Sequence, residues 1–595
     1  MSALSVLQQD LKFLVGGVKV LAWTRDVTPD SAVLVPDDVE AAVDKHRHSV
    51  AFRFDGELMT YAEFDSLANR YANWAVTEGV QPGDVVALLM ENRPDYLAAW
   101  VGLSKVGVVA ALINTNLEGE GLAHCLNIVG ARMVITGAGF DQAIRSAKPM
   151  LEGAPAFWSL CGYEGQNLKQ ALASTSDARP DRTRRAELSG RDICLYVYTS
   201  GTTGLPKAAR LTHARTRTMM RTFIGPLGMS PRDRLYQTLP LYHATGGIAA
   251  AGAAMLSGAS LILRRKFSAS AFWVDAVTEG ATLFVYIGEL CRYLVNQPPH
   301  EMERKHRIRA GFGNGLRPEI WETFSERFGI HDLKEFYSST EGNVSFMNID
   351  GNPGACGRMP DWMNKPFRHV AFVKFDLETE MPVRGEDGFC LRAEDGEAGE
   401  VLGRIGADNR TRFDGYTDDK ATNGKILHDV FEKGDMWFRT GDLMRKDARG
   451  YVYFVDRIGD TFRWKGENVA TNEVGEAIAR VKGVETANVY GIPVPGAEGK
   501  AGMAAITATP ELDIAGLHQR LAERLPGYAI PVFLRVQKEP ETTGTFKFRK
   551  LELVREGFDP AAVKDPLYVY NADNDAYEPL TGETYEKVCV GGIRF

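Results

Sequence analysis

Between about residues 50 and 190 the apolar positions of the chain follow two alternating rhythms. LANRYANWAVTEGV (67–80) repeats its apolar residues at helical spacing, and DVVALLM (84–90) is a short continuous apolar run of the kind that forms a buried strand. YLAAWVGLSKVGVVAAL (96–112) reads as a helix running into a further strand. Such alternation builds a parallel sheet with helices on both faces, so the expected fold class is α/β. At the start of the chain Leu4, Leu7, Leu11, Leu14, Val18 and Leu21 recur at helical spacing, with Val6, Phe13 and Val20 flanking them and Lys12 and Lys19 on the polar side. A helix of this kind can lie on a membrane surface or pack on its own domain, and Gly16-Gly17 weakens it by roughly 1 kcal/mol each relative to alanine. No stretch reaches the ~18 to 20 uninterrupted apolar residues of a membrane span. STSDARPDRTRRAELSGRD (174–192) breaks the pattern and reads as a linker whose arginines are solvated.

Composition narrows this picture. A chain of 595 residues exceeds what one core usually supports, so at least two domains are expected. The net charge of -8 argues against nucleic acid as a partner. Seven cysteines without a CxxC pair suggest a reducing, cytoplasmic setting and no zinc site.

The chemistry concentrates first in YTSGTTGLPK, from Tyr198 to Lys207, which follows the apolar strand pattern Ile193 to Tyr198. Gly201 and Gly204 let backbone N–H groups approach a phosphate, Thr199, Ser200, Thr202 and Thr203 can donate from side chains, and Lys207 adds a positive charge. The loop reads as a cradle for a polyphosphate rather than a surface turn, but not as a P-loop, because Lys207 follows proline and precedes alanine. Gly311-x-Gly313-x-Gly315 likewise lacks the spacing and context of a dinucleotide fingerprint.

YTSGTTGLPK resembles the phosphate loop of the adenylate-forming (AMP-binding) superfamily, which includes acyl-CoA synthetases, luciferases and the adenylation domains of peptide synthetases. Later segments follow in that superfamily's order. YSSTEGN (337–343) resembles its Tyr-Gly-x-Thr-Glu, implying that Tyr337 stacks on adenine, Thr340 meets the α-phosphate and Glu341 holds Mg²⁺, with Ser338 in place of the usual glycine. Gly313-Asn314-Gly315 sits at the small-residue turn against adenine. In FRTGD (438–442) the resemblance makes Asp442 the ribose ligand, a role suited to an acceptor-only carboxylate facing a diol. DRIGDTFRWKGENV (456–469) resembles the hinge of a mobile C-terminal domain, with Arg457 reaching the ribose and Gly466 beside the CoA passage. The pivot falls on Gly459 or Asp460, where the family commonly has Asp or Lys. TTGTFKFRK (542–550) places the adenylating lysine at Lys547, with Phe546 where glycine is usual and Lys550 close by.

TLFVYIGELCRYLVNQP (282–298) and RAGFGNGLRPEIWETFSERFG (309–329) resemble the fatty-acid transport protein and very-long-chain acyl-CoA synthetase branch. The resemblance implies a large multi-subdomain N-terminal domain with helix-covered sheets (48–456), preceded by an amphipathic lead-in (1–47) and followed by a small mobile α+β domain with the catalytic lysine (457–595). It also implies a fatty acid–CoA ligase using ATP, Mg²⁺ and coenzyme A. In LPLYHATGG (239–247), Tyr242 and His243 would face the acyl carboxylate, and Tyr286 the acyl chain; His243 in such a turn can equally be structural. Two alternatives remain at this stage, an acyl-AMP ligase serving a carrier protein and a membrane-associated fatty-acid uptake protein. Peripheral contact with the inner face of the membrane through residues 1–24 is a further expectation.

Overall fold

The computed structural model describes residues 3–162, 164–199, 205–363, 367–376, 379–465, 467–495, 499–540, 550–590 and 593. Contacts divide the chain into a larger unit, Met1–Arg358 with Gly403–Leu427 and Met436–Phe438, and a smaller one, Met359–Leu402 with His428–Asp435 and Arg439–Phe595.

The larger unit holds two helix-covered sheets. In one, the strands run in the order 166–167, 156–159, 133–136, 85–89, 109–112, 193–199, 207–212, parallel except for the last pair. In the other the order is 345–348, 333–338, 310–314, 283–287, 234–237, 260–263, 50–54, 57–60, parallel inside and antiparallel at both edges. Strands buried on both faces need continuous apolar runs, which is why they were visible in the sequence as short blocks. The elements used below are helix α1 (Ala3–Thr24), strands β1 (Ile193–Thr199) and β2 (Lys207–Thr212), helix α2 (His213–Thr222), and strands β3 (Leu283–Ile287), β4 (Ala310–Asn314) and β5 (Leu333–Ser338). The α/β reading holds.

Helix α1 packs on its own domain through one face and leaves an apolar arc open on the other. Phe13 is buried, Gly16 sits against Ile349 with no room for a Cβ, and Asp10 pairs with Arg358. The opposite arc is apolar and open, with Leu4 66%, Leu7 65% and Leu11 59% exposed, continuing through Leu14, Val18 and Leu21. No helix among the described residues is long and apolar enough to cross a membrane.

One linker arginine corrects the expectation of solvation: Arg185 is buried, while Arg179 and Arg182 stay exposed and paired. Arg179 reaches Asp44 and Asp65, Arg182 reaches Asp37, and the buried Arg185 donates to Asp37, Glu40 and the Lys105 carbonyl. The reason is the helices beneath, whose buried-side carboxylates already surround the fully buried Lys105 and still require positive charge. Burial alone would raise the Asp37 pKa, but hydrogen bonds from Arg182, the Leu34 N–H and Arg185 hold it at about 2.

The smaller unit contains a five-stranded sheet in the order 484–493, 500–508, 533–536, 567–571, 576–579, packed with helices Thr471–Ala479, Leu517–Ala522 and Gly582–Cys589. From Arg439 on it also contains strand β6 (Met436–Lys446), paired antiparallel with β7 (Tyr451–Arg457).

Candidate active site

Strands β1 and β2 form a hairpin whose register ends on the pair Thr199 and Lys207. The chain therefore leaves the sheet at Thr199 and rejoins it at Lys207. Ser200, Gly201, Thr202, Thr203 and Gly204 lie outside the described residues. Buried Tyr198 is not a phosphate donor, since its hydroxyl bonds the Cys125 carbonyl at 2.6 Å.

The acidic loop leaves β5 directly. Tyr337 and Ser338 end that strand, and the Tyr337 ring lies 5.9 Å from Phe346 on the paired antiparallel strand. Thr340 and Glu341 follow, both half-buried. Arg215 on α2 fixes their backbone, donating to the carbonyls of Thr340 at 2.9 Å, Ser339 at 3.0 Å and Gly342. A guanidinium suits this task because its donors are rigid and planar. Asn343 ties the end of the loop to the carbonyls of Arg404 at 2.9 Å and Thr411 at 2.8 Å. The Glu341 side chain accepts from the Tyr416 hydroxyl at 2.7 Å. Tyr416 is brought there because residues 415–417 pair with β2, the Gly415 carbonyl accepting from the Arg210 N–H at 3.1 Å and the Thr417 N–H donating to the Ala208 carbonyl at 3.1 Å. The Lys207 ammonium stands 5.7 Å from the centre of the Tyr416 ring.

The Gly313-Asn314-Gly315 turn closes β4. Its glycines answer packing demands. A Cβ on Gly313 would meet the Tyr286 carbonyl at 2.1 Å, and Gly315 has φ +78°. The N–H groups of Gly315 and Leu316 both donate to the buried Glu335 carboxylate, at 2.9 and 3.2 Å. Burial pushes the Glu335 pKa well up, opposed by those bonds. Tyr286 itself is fully buried, and its hydroxyl donates to the Lys334 carbonyl at 3.1 Å.

Tyr242 and His243 lie after the strand Arg234–Gln237, their rings 4.5 Å apart, and His243 leads into a π-helix, Ala244–Ala250. Burial pushes the Tyr242 phenol up to about 12, partly offset by Thr115. Buried Asn92 staples this turn, donating to the Leu239 carbonyl at 2.9 Å and accepting from the Leu241 N–H at 2.9 Å.

In the smaller unit, Asp442 on β6 and Arg457 on β7 are register partners, with Arg457 Nε 3.5 Å from Asp442 Oδ1. Asp442 is buried in a strand, a firmer setting than a turn following glycine would give. Beyond β7, Gly459 has φ +94°, a conformation side chains resist. Lys550 pairs with Asp460 at 3.0 Å and donates to Thr471 at 2.7 Å. Lys547 and Gly466 lie outside the described residues.

Arg215, Tyr416, Glu335 and Asn92 escaped the sequence reading. Each is a single polar residue acting on backbone or on one carboxylate from a distant element, so no spacing reveals it. The group implied for Glu341 can be tested against this setting. Mg²⁺ typically takes one or two carboxylates together with substrate phosphates, and no group of three or more His, Cys, Asp or Glu that could hold a metal occurs among the described residues. One carboxylate presented on a fixed loop, linked through Tyr416 to the phosphate hairpin, fits a metal shared with a polyphosphate.

A family profile described as "AMP-binding enzyme" matches residues 39–406. The mouse protein named long-chain fatty acid transport protein 6 is 42% identical over 544 residues, covering 90% of this chain and 87% of that one. Human long-chain fatty acid transport protein 1 is 42% identical over 555 residues, covering 90% and 84%. The chain belongs to the AMP-binding enzyme family, among the long-chain fatty acid transport proteins. A crystal structure of the anthranilate CoA ligase AuaEII with anthranoyl-AMP superposes with a TM-score of 0.75 at 20% identity, covering 89% of this chain and 98% of that one. This AMP-binding enzyme therefore shares the fold of that ligase across nearly its whole length.

Proposed function

We propose that this AMP-binding enzyme is an ATP-dependent long-chain or very-long-chain fatty acid–CoA ligase. The observation that carries the reading is the acidic loop, where Thr340 and Glu341 are presented on a backbone held at three carbonyls by Arg215. The relatives named for long-chain fatty acid transport support a fatty acyl substrate.

In the first step a carboxylate oxygen of the fatty acid attacks the α-phosphorus of ATP, the bond to the β-phosphate breaks, and pyrophosphate leaves acyl-AMP behind. Tyr337 stacks on adenine beside the Gly313–Gly315 turn, Asp442 and Arg457 take the ribose, and Thr340 donates to the α-phosphate. Thr199, Lys207 and the loop between them restrain the pyrophosphate. Lys547 meets the charge gathering on the α-phosphate oxygens. Mg²⁺ held by Glu341 and the phosphates would neutralise charge on the triphosphate and its leaving group. In the second step the CoA sulfur attacks the acyl carbonyl, the mixed-anhydride bond breaks, and AMP leaves. Tyr242 and His243 border the acyl carboxylate. Tyr286 acts from behind the adenine turn, because its hydroxyl is committed to the Lys334 carbonyl. In this reading residues 457–595 form the domain carrying Lys547 and Gly466.

The test supplies fatty acids of increasing length with ATP and CoA and follows pyrophosphate, AMP and thioester. Lys547→Ala should lower adenylation by about 10²- to 10³-fold, the usual effect of removing one transition-state donor. Adenylate that accumulates without thioester would replace CoA by a carrier protein as acceptor. Fatty-acid uptake that is untouched by Lys547→Ala would favour the uptake reading.

The open apolar arc of α1, bordered by Lys12 and Lys19, supports peripheral contact with an anionic bilayer. Sedimentation with vesicles before and after removal of residues 1–24 tests this, and no difference would end it.

A further inference from the structure

The reaction above needs a metal carboxylate, and nothing in it explains why a tyrosine some 75 residues away in sequence is spent on that carboxylate. Three observations converge on Tyr416. Its hydroxyl donates to Glu341 Oε1 at 2.7 Å. Its ring lies 5.7 Å below the Lys207 ammonium. Its backbone is pinned on both sides, by pairing of residues 415–417 with β2 and by its own N–H donating to Thr422 Oγ1 at 3.0 Å. Tyr416 is 3% exposed, so the ring has little freedom to leave this position. One rigid side chain thus connects the strand that ends the phosphate loop with the acid of YSSTEGN. Arg215 completes the frame from the other side by holding the carbonyls around Glu341.

We propose that Tyr416, with Arg215 behind it, is a positioning residue that presets Glu341 for a divalent cation in register with the phosphate loop. The hydroxyl occupies one oxygen of the carboxylate and leaves the other to face the metal. The arrangement follows a general pattern in which hydrogen bonds to a metal-binding carboxylate fix its orientation and raise the affinity of the site. Tyr416 would touch neither substrate nor metal. Its effect therefore belongs to the metal-dependent part of nucleotide binding, rather than to ATP binding as a whole.

This inference rests on Glu341 being the magnesium carboxylate, and the test separates the two. ATP binding is measured calorimetrically on the full chain without fatty acid, so that no turnover occurs, once in EDTA and once in excess magnesium chloride. The ratio of the two dissociation constants is the magnesium gain. In the unaltered protein it should be large. Tyr416→Phe, which removes one oxygen atom, should cut that ratio by about tenfold, the lower range for loss of a group behind a metal ligand. Arg215→Lys, which keeps the charge but loses the planar fork, should cut it in the same direction, and it carries the test alone should Tyr416→Phe fail to fold. A folded Tyr416→Phe or Arg215→Lys protein with an undiminished magnesium gain overturns the proposal. An unaltered protein with no magnesium gain, or a Glu341→Gln protein that keeps it, overturns the assignment of Glu341, and this inference with it.

Discussion

Two apolar segments of the larger unit, strand β3 and helix α1, are similar in side-chain content and opposite in fate. Leu283, Phe284, Val285 and Tyr286 of β3 are at most 1% exposed, covered on both faces of a parallel sheet. The leucines of α1 turn outward, and the helix is held by the narrow inner face of Phe13, Gly16 and Asp10. Apolar character alone therefore does not decide burial. Coverage of the faces does, and β3 has it because helices pack on its sheet, bringing Phe272 and Phe324 against Phe284.

Substitutions can break or sharpen this contrast. Phe284→Ala should have the largest effect, since its ring lies 5.7 Å from Phe324 and 5.3 Å from Tyr286 with a strand glycine against its edge. A loss of about 3 to 5 kcal/mol in denaturant unfolding is expected, and a loss under 1 kcal/mol would mean that the sheet collapses to fill the gap. The segment behind α1 should be sensitive to acid instead. His213 is 2% exposed, and its Nδ1 accepts the Val35 N–H at 3.3 Å. Burial pulls its pKa down to about 4, with Asp192 and Asp37 opposing. Between pH 6.5 and 4 the unfolded chain takes up a proton that the folded chain refuses, so stability falls as the pH drops through that window. His213→Asn should make this fall shallower by up to about 3 kcal/mol, read from melting curves across the window. The smallest effect on stability belongs to Leu7→Ser, Leu11→Ser and Leu14→Ser combined, within ~0.5 kcal/mol each as for other surface changes. The same triple variant should lose vesicle binding, and a marked drop in melting temperature would show that the stripe is covered by protein.

The contrast also explains what the sequence could show. The sheets were legible because buried parallel strands leave short apolar blocks bounded by turn residues, as in DVVALLM and the run before Tyr198. The candidate nucleotide motifs stood out because phosphate, metal and ribose would each demand particular residue types in local order. The outward stripe of α1 was legible as a pattern but not as a direction, which depends on Ile349 and Arg358, more than 300 residues away. Arg185 was misjudged for a related reason, since its partners Asp37 and Glu40 lie on a helix more than a hundred residues earlier. Arg215 and Tyr416 were invisible because a residue that bonds backbone carbonyls or one carboxylate leaves no periodic trace. Even Tyr286, apolar by context, turned out to spend its hydroxyl on Lys334, which no alternation rule foresees.

The π-helix after His243 bears on how the turn carrying Tyr242 and His243 can change over time. Its wider turns accommodate a residue beyond what an ordinary helix would hold over the same span. Deleting one of the small residues between Ala244 and Ala250, with the helix path unchanged, would turn the preceding residues by about 100° around the helix axis. A single codon lost or gained there would re-aim Tyr242 and His243 together while both neighbouring sheets stay in place. Chain length at this position is thus a second way to turn Tyr242 and His243, separate from the identity of any side chain around them.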